Sequence, residues 1–259
     1  MSLLLWLPFV FVLGVLVCVC VFDVRERVVS DWVWVFVYPV GFVLTFVLVG
    51  FGLLDWVVVL VSGLCSLFLG VGLFWSGYYG GADLKALVFI ALTAPSIPVV
   101  FGPVLNLPEL PLILTVFCNS VLLSLTWPLT IFTLNLKDAL KGKRMFEDIQ
   151  LSWSQKVWLF FTSRLTPIEK MVGLRYFPSE QLVFQEDDGG LPIRKHLRFV
   201  KAETDLSKYT NDLNTYKHLY KKGVLASPTI PTIVFFTIAL AITPLGNIFI
   251  WAITLIGII

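Results

Sequence analysis

The chain has 259 residues, of which 58% are hydrophobic and 14% charged, with a mean hydropathy of +0.88. Soluble domains carry about one quarter charged residues and roughly half apolar ones, so this composition excludes an ordinary soluble core and points to several membrane spans. The net charge is +2, with basic residues interleaved with acids, which argues against the clustered basic face of a nucleic-acid binder.

Six apolar segments follow in chain order: residues 3–22, 32–54, 56–75, 86–104, 110–134 and 230–259. Each reaches the ~17–25 residues that a tilted transmembrane helix needs. Before the first, Met1 and Ser2 supply no basic stretch, and no small-x-small cleavage site follows it, so the segment reads as a retained helix rather than a signal peptide. Only Asp55 separates the second and third segments, which predicts a tight hairpin. The fourth contains Pro95, Pro98 and Pro103, which predict a kink or an irregular outer end. Pro128 interrupts the fifth near its inner end. The sixth is longer than a crossing requires. Cys18, Cys20, Cys65 and Cys118 all lie in apolar runs. None forms a CxxC pair in a loop, so neither a zinc ribbon nor a disulfide framework is expected, and the four read as small buried apolar residues. No metal and no cofactor is expected.

With six spans the connecting loops alternate sides. One side receives residues 24–31, 76–85 and 135–229, and all 19 Lys and Arg residues fall there. The opposite side has only Asp55 and Glu109 as charges. The positive-inside rule makes the basic side cytoplasmic, which puts both termini outside a multi-pass protein of the cell membrane. The long polar stretch is the candidate soluble element. Residues 153–165 read as an amphipathic helix, with Trp153, Val157, Phe160, Phe161 and Leu165 at helical spacing. Such a helix suits the membrane surface or packing within its own subdomain. Residues 181–184 and 193–200 read as two strands around the turn signal Asp187-Asp188-Gly189-Gly190. Residues 206–222 read as a helix stopped by Gly223. The expected fold is a membrane all-α protein: a membrane domain at 1–134, a small α+β cytoplasmic domain at 135–229, and a sixth transmembrane helix at 230–259.

Asp23 then lies at the inner end of span one and Asp83 at the inner entrance of span four, at the same depth. Asp55 and Glu109 are across a hydrocarbon core ~30 Å thick and cannot pair with them. Acids beside hydrocarbon are costly and are functional candidates by default. Two carboxylates in contact share one proton. One can then take a proton from water while the other donates to a carbonyl oxygen, which is aspartic-peptidase chemistry. Rival readings attach to each acid. Ser30-Asp31 before Trp32 reads as a helix N-cap, and Asp83 could itself cap span four. Lys85 could snorkel to the head groups or counter the charge of Asp83. His196 and His218 read as surface residues, so Ser/His and Cys/His nucleophile schemes lack support. Asp83 follows the glycine-rich Gly77-Tyr78-Tyr79-Gly80-Gly81-Ala82, a turn that lets a substrate backbone come close.

Gly80-Gly81-Ala82-Asp83-Leu84-Lys85 resembles the GxGD motif of intramembrane aspartic peptidases, in the form seen in archaeal prepilin and preflagellin peptidases. Asp23-Val24-Arg25-Glu26-Arg27-Val28-Val29-Ser30-Asp31-Trp32 resembles that family's first motif. Ser227-Pro228 and Ile230-Pro231 before the last span are also similar. Ala82 stands where the family usually has glycine, and because alanine tolerates positive φ poorly the turn there is expected to be right-handed. The resemblance implies catalytic roles for Asp23 and Asp83, with Gly80, Gly81 and Lys85 supporting the turn and substrate. It implies removal of short basic leader peptides from prearchaellin or type IV prepilin-like precursors at the cytoplasmic face. No methyltransferase activity is expected, because the loop between spans one and two is short and lacks cysteines. Two other classes remain open on the residues alone: an ion-coupled transporter or channel using the aspartates as ion or proton sites, and a noncatalytic membrane assembly subunit. The oligomeric state is not legible.

Overall fold

The computed structural model describes residues 2–26, 28–77, 79–96, 111–146, 149, 151–170, 176–184, 193–197 and 223–255. The chain forms two compact units, one of Met1–Ser124 with Pro231–Ile259 and the other of Leu125–Ile230.

The first unit is helical: α1 (Ser2–Glu26), α2 (Asp31–Gly50), α3 (Trp56–Ser76), α4 (Gly81–Thr93), α5 (Leu112–Ser124), and, after the second unit, α8 (Thr232–Ile242) and α9 (Ile248–Leu255). Trp6–Glu26, Asp31–Gly50 and Trp56–Ser76 are long and apolar enough to cross a membrane, as is the stretch Leu112–Leu140. Their surfaces agree with that reading. Phe36, Phe68 and Trp75 on α2 and α3 are at least 70% exposed, a display of apolar surface that only lipid or a partner can cover. The expected hairpin between spans two and three forms at Asp55, whose carboxylate caps α3 by accepting from Val57 N at 2.8 Å.

The central element is α4. It packs against α1, α2, α3, α5 and α8, and Ala86, Leu87, Phe89, Ile90 and Ala91 are fully buried. A helix apolar on every side belongs inside a bundle. Phe89 anchors it with ring contacts to Phe11, Trp34 and Tyr38. The helix is shorter than the expected span of 86–104. It ends at Thr93, because Pro95 disfavours helical backbone at Ala94. Pro98, Pro103 and Glu109 lie outside the described residues.

Two further breaks refine the sequence reading. The fifth apolar segment divides at Leu125 into α5 and α6 (Thr126–Leu140), where Pro128 removes an amide hydrogen and clashes with the carbonyl four residues back. The sixth segment, expected as one long helix, is bent by 72° between α8 and α9. Pro244 lies in a 3-10 turn and Gly246 takes φ 111°, which a non-glycine residue rarely adopts. Asn119 on α5 repairs the exposed backbone. Its Nδ2 donates to Gly246 O at 3.2 Å, and its Oδ1 accepts from Phe249 N at 3.2 Å. Broken helices persist at membrane depth only where other protein groups satisfy them in this way. The four cysteines are free; Cys18 is exposed rather than buried, and the other three are half-buried.

Among the described residues the second unit holds α6, α7 (Trp153–Thr162) and five short strands: β1 (Arg164–Thr166), β2 (Tyr176–Pro178), β3 (Glu180–Phe184), β4 (Ile193–Leu197) and β5 (Val224–Pro228). The expected pair of strands appears as the antiparallel β3–β4 hairpin, in register from Glu180 opposite Leu197 to Phe184 opposite Ile193. The turn at 187–190 and the helix expected at 206–222 lie outside the described residues. A second sheet of order β1-β5-β2 was not expected, because its strands have only three to five residues, too few for a period to register. The helix α7 starts on a capping box between Ser152 and Gln155. It stops before the predicted Leu165, which joins β1 instead. Asn135 of α6 receives the freed carbonyls, donating to Phe160 O at 2.9 Å and Ser163 O at 2.8 Å.

Candidate active site

At one end of the helical unit the chain leaves α1, enters α2, leaves α3 and enters α4. Asp23 lies in the last turn of α1, and Asp83 is the third residue of α4. Both carboxylates are half-buried, and Asp83 lies within electrostatic reach of Asp23. Because α1 packs on α4, two acids sixty positions apart in the sequence stand at the same end of the helical unit.

Local geometry explains how Asp83 is held. Gly77 closes α3 in the left-handed conformation, with φ 76°. Gly80 is the residue before α4, and its amide donates to Asp83 Oδ2 at 3.0 Å. This is half of a capping box, so the helix-capping role weighed against a functional one is real, and it uses one oxygen. Oδ1 has no hydrogen bond to any described residue. Ala82 sits in the right-handed helix, so the departure from glycine costs nothing in backbone strain. Neither Gly80 nor Gly81 has positive φ, and a Cβ on Gly81 would meet nothing within 4 Å. The space in front of this turn is open on the protein's side.

The structure revises the reading of Asp31 and Lys85. Ser30 occupies the N-cap position of α2 but makes no side-chain capping bond. Asp31 instead accepts from Lys85 Nζ, so its role is to tie α2 to α4 rather than to cap. Lys85 does not neutralise Asp83. Residues two apart in a helix point to different sides, and Lys85 reaches across to α2. Tyr38 reinforces the same seam, its hydroxyl donating to Lys85 O at 2.8 Å.

Two residues of α8 contact sequence neighbours of the acids. Phe236 is fully buried and stacks on Tyr79, with ring centroids 6.0 Å apart and planes 13° apart. Thr237 Oγ1 lies 3.0 Å from Cys20 Sγ, and Cys20 is one helical turn before Asp23. Because Thr237 already donates to Ile233 O at 2.8 Å, the thiol is the donor in this contact. Tyr79 carries no role legible in its local sequence, and no local signal separates Phe236 and Thr237 from other residues of an apolar span. Among the described residues no cluster of His, Cys, Asp or Glu could hold a metal ion.

The fold and site define a polytopic helical membrane protein with a carboxylate pair at one end of its bundle. A model of the type IV leader peptidase family matches residues 10–129, which include both acids. A preflagellin peptidase of Methanococcus maripaludis is 25% identical over 240 residues, covering 89% of this chain and 90% of that protein. The chain is thus similar to the type IV leader peptidase family over those residues, and to a preflagellin peptidase along most of its length.

Proposed function

We propose that the protein is an aspartic endopeptidase that removes the short basic leader from prearchaellin or type IV prepilin-like precursors. Asp23 and Asp83 are its catalytic pair. The observation that supports this reading is the position of Asp23 and Asp83 at the ends of the packed helices α1 and α4, within electrostatic reach of each other. In this reading the two carboxylates share one proton. The ionised member takes a proton from water as the water attacks the scissile carbonyl carbon. The protonated member gives its proton to the carbonyl oxygen. The tetrahedral intermediate then collapses, the C–N bond breaks, and the amine leaves with a proton from the pair. No covalent enzyme intermediate is involved.

The charge distribution supports a six-span protein with this site at the cytoplasmic surface and both termini outside. A leader cut there stays in the cytoplasm while the following apolar helix stays in lipid. The stretch 135–229 is the cytoplasmic domain in this scheme. The test is incubation of membranes containing the protein with prearchaellin and prepilin substrates, followed by N-terminal sequencing of the products. Asp23→Ala and Asp83→Ala each abolish cleavage while the folded protein remains in the membrane. Substantial cleavage by either variant sinks the dyad.

A further inference from the structure

The helices α2 and α3 each pack against α4, and at the Asp55 turn they meet each other through Leu48, Leu54 and Val59. Between them lies a groove of about 390 Å³. Its walls run from Phe42 to Val49 on α2 and from Trp56 to Leu67 on α3, and its floor is Val88 and Leu92 of α4. Thr45 and Trp56 bring the only polar side-chain atoms to this lining. The Thr45 hydroxyl is already used, donating to Leu92 O at 2.8 Å. Trp56 stands at the turn end of the groove and is half exposed. An apolar space of this kind gives water no partners, and its walls gain dispersion contacts only from an apolar occupant. Phe46 and Leu64 on the two walls are exposed, so the groove is open along its outer side. Both α2 and α3 are long and apolar enough to cross a membrane, and the groove therefore opens on hydrocarbon.

We propose that this groove is a binding site for one tail of a membrane lipid, taken from the leaflet on the side of the Asp55 turn. The site is separate from the acids and needs only the membrane spans, not the peptidase reading. Its dimensions select the occupant. From Trp56 to Leu67 the groove follows α3 for ~16 Å, about half of the ~30 Å hydrocarbon core. It thus reaches from the interface to the middle of the bilayer, the depth of one leaflet. Trp56 marks the entrance, because tryptophan favours the level of the head groups. An apolar cavity of ~150 Å³ holds one benzene, and on that scale the groove holds on the order of fifteen carbons. A partner helix is too large, since with its side chains it is about 10–12 Å across and fills roughly 1,300 Å³ over the same ~16 Å. The apolar helix of a leader-bearing precursor meets a second obstacle. Val88 and Leu92 lie five and nine residues after Asp83, which turns them about 140° and 180° away from it around α4. The groove is on the far side of α4 from the acid. A tail seated there braces the α2–α3 hairpin against α4.

The test uses the full-length protein in liposomes of palmitoyl-oleoyl phosphatidylcholine, doped with the same lipid carrying a diazirine on one tail. After photolysis the labelled residues are mapped by peptide mass spectrometry. Lipid surrounding the protein reaches the outward faces of α1, α2 and α3, whereas a tail in the groove also reaches Val88 and Leu92 on the central helix. Label on the groove walls and on these two residues is the expected result. Val88→Trp fills the floor and is expected to cut the label at Leu92 about tenfold, since an overfilled apolar space rejects further atoms. Label at Val17, on the exposed face of α1, stays unchanged. Leu64→Trp fills the groove from α3 and gives the same result should Val88→Trp not reach the membrane. Label confined to the outward faces, with none on α4, overturns the proposal. Full label at Leu92 in the folded variants does the same. Two further outcomes also overturn it by naming another occupant. A cross-linked dimer joined through α2 and α3 would make the occupant a second copy, and loss of the Leu92 label on adding a prearchaellin precursor would make it the substrate.

Discussion

Gly41 on α2 is the point at which the position of Asp83 is most open to a test by packing. A Cβ at residue 41 would lie 2.2 Å from Thr93 Oγ1, 3.1 Å from Thr93 Cγ2 and 3.2 Å from Phe89 Cε2. Non-bonded atoms settle at about 3.5–4.0 Å, so Gly41→Ala forces α2 and α4 apart by roughly 1 Å. The two helices are also pinned there, because Thr45 Oγ1 donates to Leu92 O at 2.8 Å. Overpacking a tight interface costs about 1–3 kcal/mol. Because α4 is one short helix, a shift at Thr93 is transmitted to Asp83, ten residues and ~15 Å along the axis. A displacement of about 1 Å between reacting groups can cost on the order of 100-fold in rate. The expected result is a Gly41→Ala protein that unfolds more easily in detergent, followed by tryptophan fluorescence, and cleaves leader 10- to 100-fold more slowly by the estimate above. Thr93→Ala removes the two closest atoms, so Gly41→Ala/Thr93→Ala regains at least ~1 kcal/mol beyond additivity. Gly14→Ala is the control, since a Cβ there meets nothing within 4 Å. If Gly41→Ala behaves like Gly14→Ala, or Thr93→Ala restores nothing, α4 is not held as described.

Two further predictions concern residues whose partners only the fold revealed. Asp31→Ala breaks an ion pair whose side chains are 39% and 80% exposed at Lys85 and Asp31, so it costs at most ~1 kcal/mol and slows leader removal only mildly; a loss equal to that of Asp83→Ala would move the catalytic role to Asp31. Asn119→Ala strands the backbone groups at the bend between α8 and α9, with an expected loss of about 1–3 kcal/mol for an unsatisfied buried group, read as a lowered thermal midpoint; an unchanged midpoint would mean that the bend needs no partner.

Composition alone determined that this is a membrane protein, since lipid demands long apolar runs and no soluble core tolerates so many. The charge partition and the two aspartate motifs selected Asp23 and Asp83, because cost beside hydrocarbon and turn chemistry are written in neighbouring residues. The proline-driven breaks were legible in part. Pro128 predicted the end of α5, whereas the bend at Thr243–Leu245 was lost in an apolar run that hydropathy reads as continuous. The tertiary structure decided which groups meet. Asp31 was assigned to a cap because the local pattern Ser30-Asp31-Trp32 allows it, yet its partner is Lys85, 54 residues away on α4. Tyr79 and Phe236 are separated by more than half the chain, and no property of either segment announces their stack. Hydropathy and charge describe a helix by itself, while the groups that meet at the site depend on how each helix is rotated and seated against the others. That rotation is set by contacts such as Gly41 against Thr93, and it decides which groups of α4 face its neighbours.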